Sequence, residues 1–367
     1  MSANTLKSTL ATKPATPEKC LIVGPSWIGD MVMAQSLFIY LKQCNPSLLI
    51  DVLAPKWSEP LLAAMPEVNA SIVMPLGHGT LALRTRYRLG KSLRDSHYDQ
   101  AIILPNSLKS ALIPFWANIP RRTGYKGEMR YGLVNDIRHL DKHCLTMTVQ
   151  RFVALGHTPH PYQQAPDFPA PALSLPDTGQ AAILEKFRLS AEQPFIVLCP
   201  GAEYGSAKRW PEKYFAELAN TLTAQGYRIV LSGSAKDRPV AQAIMEHTRS
   251  QAILDITGQT SLHEIIVILH QATAAVSNDS GLMHIAAAVN TPLVALYGSS
   301  DPSFTPPLSM HHAIINLGLE CSPCFKRQCP LGTLACLTGI QPTTVAQCLE
   351  ELISRKTTRH VSPAPPR

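Results

Sequence analysis

The chain lacks a long hydrophobic run. Nowhere do apolar residues continue unbroken for the ~18 positions that a membrane-spanning helix requires, so no such helix is expected. Residues 1–19 are rich in Thr, Pro and Lys and carry no apolar core, which excludes a secretory signal of the usual form. Aromatic residues are scarce, at 6%, and do not alternate with a basic strip; the stacking platform of a single-strand nucleic-acid binder is missing. Charge is also sparse, 16% against 45% apolar content, as in a chain that folds around large cores and unlike a disordered one. Together these absences point to a cytoplasmic globular protein without a nucleic-acid partner.

What is present is unevenly placed. At 367 residues the chain exceeds the usual size of one core, and two domains are expected. Of its 33 Lys and Arg and 26 Asp and Glu, 18 and 11 fall in residues 1–170. That half therefore holds the whole formal excess of +7, and residues 171–367 are neutral. A field of this sign favours an anionic partner such as a phosphorylated ligand or an acidic membrane surface; ordinary solubilising charge is the plainer alternative.

Hydrophobic patterning predicts strands over 21–24, 48–53, 71–74 and 100–104, alternating with helices over 30–43, 57–64, 81–96, 107–116 and 146–155. Six prolines then crowd residues 158–176, where neither a helix nor a central strand can continue. Beyond them the alternation restarts, with strands over 195–199, 227–232, 252–255, 274–277 and 293–297 and intervening helices. Each half reads as a parallel sheet with helices on both faces. In each half one junction stands out: L-I-V-G-P-S-W-I-G-D over 21–30 and A-A-V-S-N-D-S-G-L-M-H over 274–284. Both run from an apolar strand through small residues and an Asp into an apolar helix, leaving free N–H groups where an anion or reacting group can sit. Two such junctions suggest two domains facing across a cleft.

Each candidate residue has a bland and a chemical reading. Asp30 is either a helix cap or a general base, kept ionised by the adjacent helix N-terminus. Ser280, Gly281 and His284 share one helical face beside Asp279; the turn suits a phosphate, and Asp279 then caps the helix or binds a sugar hydroxyl. Lys208 and Arg209 follow a glycine-bearing loop over 201–205, where a cation can meet an anionic leaving group. Arg84, Arg88 and Lys91 fall at i, i+4, i+7 on one helix face, either solvated or facing an anionic surface. Cys321, Cys324, Cys329 and Cys336 are spaced C-x2-C-x4-C-x6-C. In a cytosolic chain that spacing suggests zinc or an iron–sulfur cluster before disulfides, with a reduced loop without metal as the alternative.

Six stretches in order carry a resemblance: G-P-S-W-I-G-D-M-V-M-A-Q-S-L over 24–37, M-P-L-G-H-G over 74–79, L-P-N-S-L-K-S-A-L over 104–112, I-P-R-R-T-G-Y-K-G-E-M-R-Y-G-L over 119–133, C-P-G-A-E-Y-G-S-A-K-R-W-P over 199–211 and N-D-S-G-L-M-H-I-A-A-A over 278–288. The chain resembles the ADP-heptose:lipopolysaccharide heptosyltransferases, type II, of glycosyltransferase family 9, over roughly residues 20–355. The resemblance implies a GT-B fold: two Rossmann-like α/β domains with parallel sheets facing across a central cleft. It implies a tail over 1–18, an acceptor-binding domain over 19–165, a Pro-rich linker over 166–178, an ADP-heptose-binding domain over 179–342, a C-terminal helix over 343–356 and a tail over 357–367. The implied reaction is an inverting transfer of heptose from ADP-heptose to the first heptose of the lipopolysaccharide inner core, with no cofactor required. It would proceed at the cytoplasmic face of the inner membrane, where the protein associates peripherally.

By that resemblance Asp30 is the base and Lys208 meets the diphosphate. Gly201, Thr260, Asp279, Ser280, Gly281 and His284 complete the donor site, with a group in 234–237 near the ribose. Ser26, Lys109, Arg121, Arg122 and Arg130 would meet the acceptor. Ala202 and Glu203 stand where type I enzymes carry paired threonines, so no phosphate hydroxyl is carried over there. The alternatives are a heptosyltransferase of type I or III and a GT-B nucleotide-sugar epimerase.

Overall fold

The computed structural model describes residues 18–77, 79–158, 164–190 and 192–361. Most of the expected N-terminal tail, His78 of the M-P-L-G-H-G stretch, Pro159 and Pro161 of the proline-rich segment, and residues 362–367 lie outside these.

The first half builds β1 (Lys19–Val23), α1 (Ile28–Cys44), β2 (Leu49–Pro55), α2 (Glu59–Ala63), β3 (Val68–Met74), α3 (Leu83–Ser92), β4 (Gln100–Ile103), α4 (Leu108–Trp116), β5 (Arg121–Tyr125), β6 (Asp136–Arg138) and α5 (Thr148–Ala154). Its six strands are all parallel, in the order β3-β2-β1-β4-β5-β6. The second half builds α6 (Gln180–Lys186), β7 (Phe195–Cys199), α7 (Glu212–Ala224), β8 (Arg228–Leu231), α8 (Arg238–Glu246), β9 (Ile253–Asp255), α9 (Leu262–Gln271), β10 (Ala274–Asn278), α10 (Gly281–Ala288), β11 (Leu293–Tyr297), β12 (His312–Asn316), α11 (Ala335–Thr338) and α12 (Pro342–Val361). Its sheet is also parallel, β12-β11-β10-β7-β8-β9. Read from the other edge this is the same winding as the first. Each sheet reverses direction once, between β1 and β4 and between β7 and β10, and ligand crevices form at such switch points, beyond the strands' carboxyl ends.

β7 throughout, and β1 from Cys20 onward, are apolar and buried because each strand lies at the centre of its sheet. Every residue of α1 from Met31 to Phe38 is buried, since the helix lies between its own sheet, α5 and α10 of the other half. One apolar cluster runs from Ile22 and Phe38 through Leu61 and Met65 to Ile265, Ile285 and Tyr297, so the two domains share a continuous core. The proline-rich connection is strapped to that boundary. Gln35 exchanges two hydrogen bonds with the backbone of Ala172 (2.7 and 3.0 Å), Leu173 donates to Ala288 and Ser174 to Ala64.

The patterning missed β5, β6, β12, α6 and α11. α12 extends to Val361, past the boundary read at residue 356.

Candidate active site

The two junctions singled out in the sequence meet head to head. α1 and α10 begin at the carboxyl ends of β1 and β10 and point their first turns at each other. Contact is so close that a Cβ built on Gly281 would stand 2.8 Å from Ile28 Cβ, and one on Gly29 would stand 2.5 Å from His284 Cδ2. A methyl group at either position would force the facing side chain to shift. Beside this contact opens a cleft of about 970 Å³, within the range of a nucleotide-sized ligand pocket.

Asp30 projects into the cleft from the first turn of α1. It is not the cap: Trp27 occupies that position, and no side chain caps the helix. The helix N-terminus was expected to lower the carboxyl pKa. Instead, desolvation dominates and raises it to about 6; Lys208 opposes the rise and Asp279 adds to it. Asp30 keeps partial solvent contact through the cleft opening. A carboxyl poised near neutrality can accept a proton at physiological pH.

The opposing wall comes from the second half. Lys208 stands at the end of the loop after β7, ion-paired with Asp279, which follows β10. The loop is fixed from behind: Asn278 accepts from the backbone N–H of Trp210 (3.1 Å) and donates to the Pro200 carbonyl (2.7 Å). Asp279 does not cap α10, contrary to one reading of the sequence; Ser280 is the cap residue, without a side-chain cap bond. The N–H groups of the first turn of α10 therefore remain open for an anion. His284 is 5% exposed, and desolvation lowers its pKa to about 4, so it is neutral at pH 7. Gly201 backs onto Asp237, where a Cβ would meet the carboxylate at 2.4 Å. Asp237 in turn accepts from the N–H (2.9 Å) and hydroxyl (2.7 Å) of Ser234.

Ser26, Asp30, Gly201, Lys208, Thr260, Asp279, Ser280, Gly281 and His284 thus line one cleft. Sequence reasoning missed the aromatic lining of Trp57, Tyr204, Phe304 and Phe325. It also missed Ser300, which lines the cleft together with Ser232 of the expected nucleoside loop over 232–237; both hydroxyls are buried without a partner among the described residues.

The basic residues assigned to the acceptor do not line this cleft. Arg130 is 1% exposed, and its guanidinium is consumed by the carbonyls of Tyr125 (2.7 Å) and Pro105 (2.7 Å) and the Ser110 hydroxyl (3.2 Å). Arg122 donates to the carbonyls of Leu133, Ile119 and Gly132 and packs on Phe115. Both build the frame of the β5–β6 region. Arg121 pairs in register with Gln100, itself opposite Cys20, at the amino edge of the sheet, whereas Asp30 lies beyond the carboxyl edge. Lys109 is half-buried at the start of α4 and outside the cleft lining. Ser26 alone of the acceptor set lines the cleft. Arg84, Arg88 and Lys91 are exposed on α3.

Two opposed Rossmann-like domains with a carboxylate on one wall and a cation at a helix N-terminus on the other define a GT-B glycosyltransferase architecture. The model of glycosyltransferase family 9 (heptosyltransferase) matches residues 86–335. A lipooligosaccharide heptosyltransferase 2 of Haemophilus influenzae is 53% identical over 307 residues, covering 81% of this chain and 88% of that protein. A lipopolysaccharide heptosyltransferase 2 of Salmonella typhimurium is 47% identical over 345 residues, covering 92% and 99%. The solved structure of the Escherichia coli ADP-heptose lipopolysaccharide heptosyltransferase II superposes with a TM-score of 0.82 at 43% identity, covering 92% of this chain and 99% of that one. The chain belongs to glycosyltransferase family 9 and is a glycosyltransferase.

Proposed function

We propose that this protein transfers L-glycero-D-manno-heptose from ADP-heptose to the first heptose of the lipopolysaccharide inner core, with inversion. The observation that carries the reading is the opposition of Asp30 to Lys208 and Asp279 across one cleft, close enough that both shift the Asp30 pKa. In this scheme the diphosphate rests on the open N-terminus of α10 and beside Lys208, which leaves Asp279 to meet it. Ser234 and Asp237 face the ribose, and the Thr260 region faces the adenine. The acceptor hydroxyl enters past Ser26 and gives its proton to Asp30 as its oxygen attacks the anomeric carbon. The C–O bond to the diphosphate breaks on the opposite face, and ADP leaves with its added charge met by Lys208 and the helix N–H groups. This electrostatic set needs no metal for the chemistry. Holding both substrates in one cleft supplies the gain of proximity and orientation.

We further infer peripheral docking at the cytoplasmic face of the inner membrane through the basic half. The support is the confinement of the +7 excess to residues 1–170 and the exposed face of α3, where Leu83 and Tyr87 stand beside Arg84, Arg88 and Lys91. No helix among the described residues is long and apolar enough to cross a membrane.

Incubation with ADP-heptose and heptosyl-Kdo2-lipid A tests the reading. One added heptose by mass with equimolar ADP release, and no product on Kdo2-lipid A, is expected. Transfer only to Kdo2-lipid A would instead mean a type I enzyme.

A further inference from the structure

Between β12 and α11 the chain has no regular structure, yet it is closely tied to the loop that carries Lys208. The Phe325 N–H donates to the Ser299 carbonyl (2.7 Å), the Ser322 hydroxyl to Gly298 (2.5 Å) and the Ala207 N–H to Arg327 (3.1 Å). The Tyr204 hydroxyl donates to the Phe325 carbonyl (2.8 Å), and its ring lies against both Arg327 and Lys208, at 5.4 and 5.1 Å from its centroid. A Cβ on Gly205 would stand 2.2 Å from the Arg327 carbonyl oxygen, so the two segments touch backbone to backbone.

All four cysteines of the C-x2-C-x4-C-x6-C run border one cavity of about 20 Å³ in this segment, closed on one side by Ala207 and Ser299. Cys329 opens a tight turn, Cys-Pro-Leu-Gly, in which Gly332 has φ +68° and returns a hydrogen bond to the Cys329 carbonyl (3.2 Å). No three candidate ligands among the described residues already stand in metal-holding geometry. The four cysteines border the cavity, and metal binding would require their side chains to turn into it.

We propose that Cys321, Cys324, Cys329 and Cys336 form a tetrathiolate site for one structural divalent metal, zinc in the first instance, which braces the Lys208 loop from behind. Binding exchanges four S–H bonds for four S–metal bonds and releases the four protons to solvent; no electron is transferred. Soft sulfur donors in a closed four-coordinate set select zinc or iron over magnesium or calcium. Only the bracing of Lys208 rests on the proposed donor site; metal binding itself does not.

The test is metal analysis of the full chain purified under reducing conditions, with cobalt replacement as a second readout. The expected result is about one zinc or iron per chain, a sulfur-to-cobalt charge-transfer band after exchange, and four thiols that become reactive only on chelation. Cys324→Ser and Cys336→Ser should each lose the metal, whereas Cys348→Ser, outside the cluster, retains it. A wild-type protein that stays metal-free after zinc addition and gel filtration, with four thiols equally reactive with or without zinc, overturns the proposal. So does metal retained in the doubly substituted Cys324→Ser/Cys336→Ser chain. If metal binds but its removal leaves ADP affinity unchanged, the bracing role falls while the site stands.

Discussion

Gly29 and His284 meet across the domain boundary with no room for a methyl group: a Cβ on Gly29 would stand 2.5 Å from His284 Cδ2. His284 is buried and cannot simply swing into solvent. Gly29→Ala should therefore cost about 1–3 kcal/mol, the usual range for overpacking, seen as a lower Tm. The Gly29→Ala/His284→Ala double variant should recover Tm relative to Gly29→Ala. A Gly29→Ala protein as stable as wild type would mean that the two helix starts are not in contact.

The pH profile follows from the raised Asp30 pKa. Turnover should rise as Asp30 loses its proton around pH 6 and level off above it. Lys208 lowers that pKa and Asp279 raises it. Lys208→Met should therefore move the Asp30 titration upward, and Asp279→Asn should move it downward. A 13C titration of the Asp30 carboxyl reads both shifts without needing activity. Identical midpoints in all three proteins would refute the coupling.

Arg130 is buried and bonded to the fold's own carbonyls, so its replacement is expected to cost stability and not acceptor binding. Arg130→Met strands the buried carbonyls of Pro105 and Tyr125, at about 1–3 kcal/mol for each acceptor left without a donor. Urea unfolding should show that loss, while the acceptor KM of the folded fraction stays within about twofold, since the guanidinium makes no cleft contact to lose. A large rise in KM at full stability would return Arg130 to the acceptor site.

Replacing Arg84, Arg88 and Lys91 with Ser should weaken binding to anionic vesicles by roughly a hundredfold at low salt, at about 1 kcal/mol per cation. ADP affinity should not change. Equal vesicle binding by the two proteins at low and high salt would remove the membrane-docking face.

The two facing walls of the cleft were legible in the sequence because both lie at strand–turn–helix junctions whose small residues and Asp are adjacent in the chain. That Lys109, Arg121, Arg122 and Arg130 lie outside the cleft lining was not legible, for a physical reason. An arginine that clamps three carbonyls and one that awaits a phosphate look alike in sequence, and only burial separates them. The missed strands have plain causes too. β6 is three residues long, β5 begins with two arginines, and β12 lies at a sheet edge without full cover. Helix position alone also misjudged the Asp30 pKa, because the desolvation that outweighs the helix depends on the other domain closing over it.

The central claim, that Asp30 takes the proton from the acceptor hydroxyl, is tested most directly by Asp30→Asn under donor saturation. Asn keeps the shape and the helix turn but cannot accept a proton. Turnover should fall by at least ~10²-fold, in the range lost with a general base, with ADP-heptose affinity by calorimetry and Tm both unchanged. A folded Asp30→Asn protein that transfers heptose at close to the wild-type rate would contradict the account.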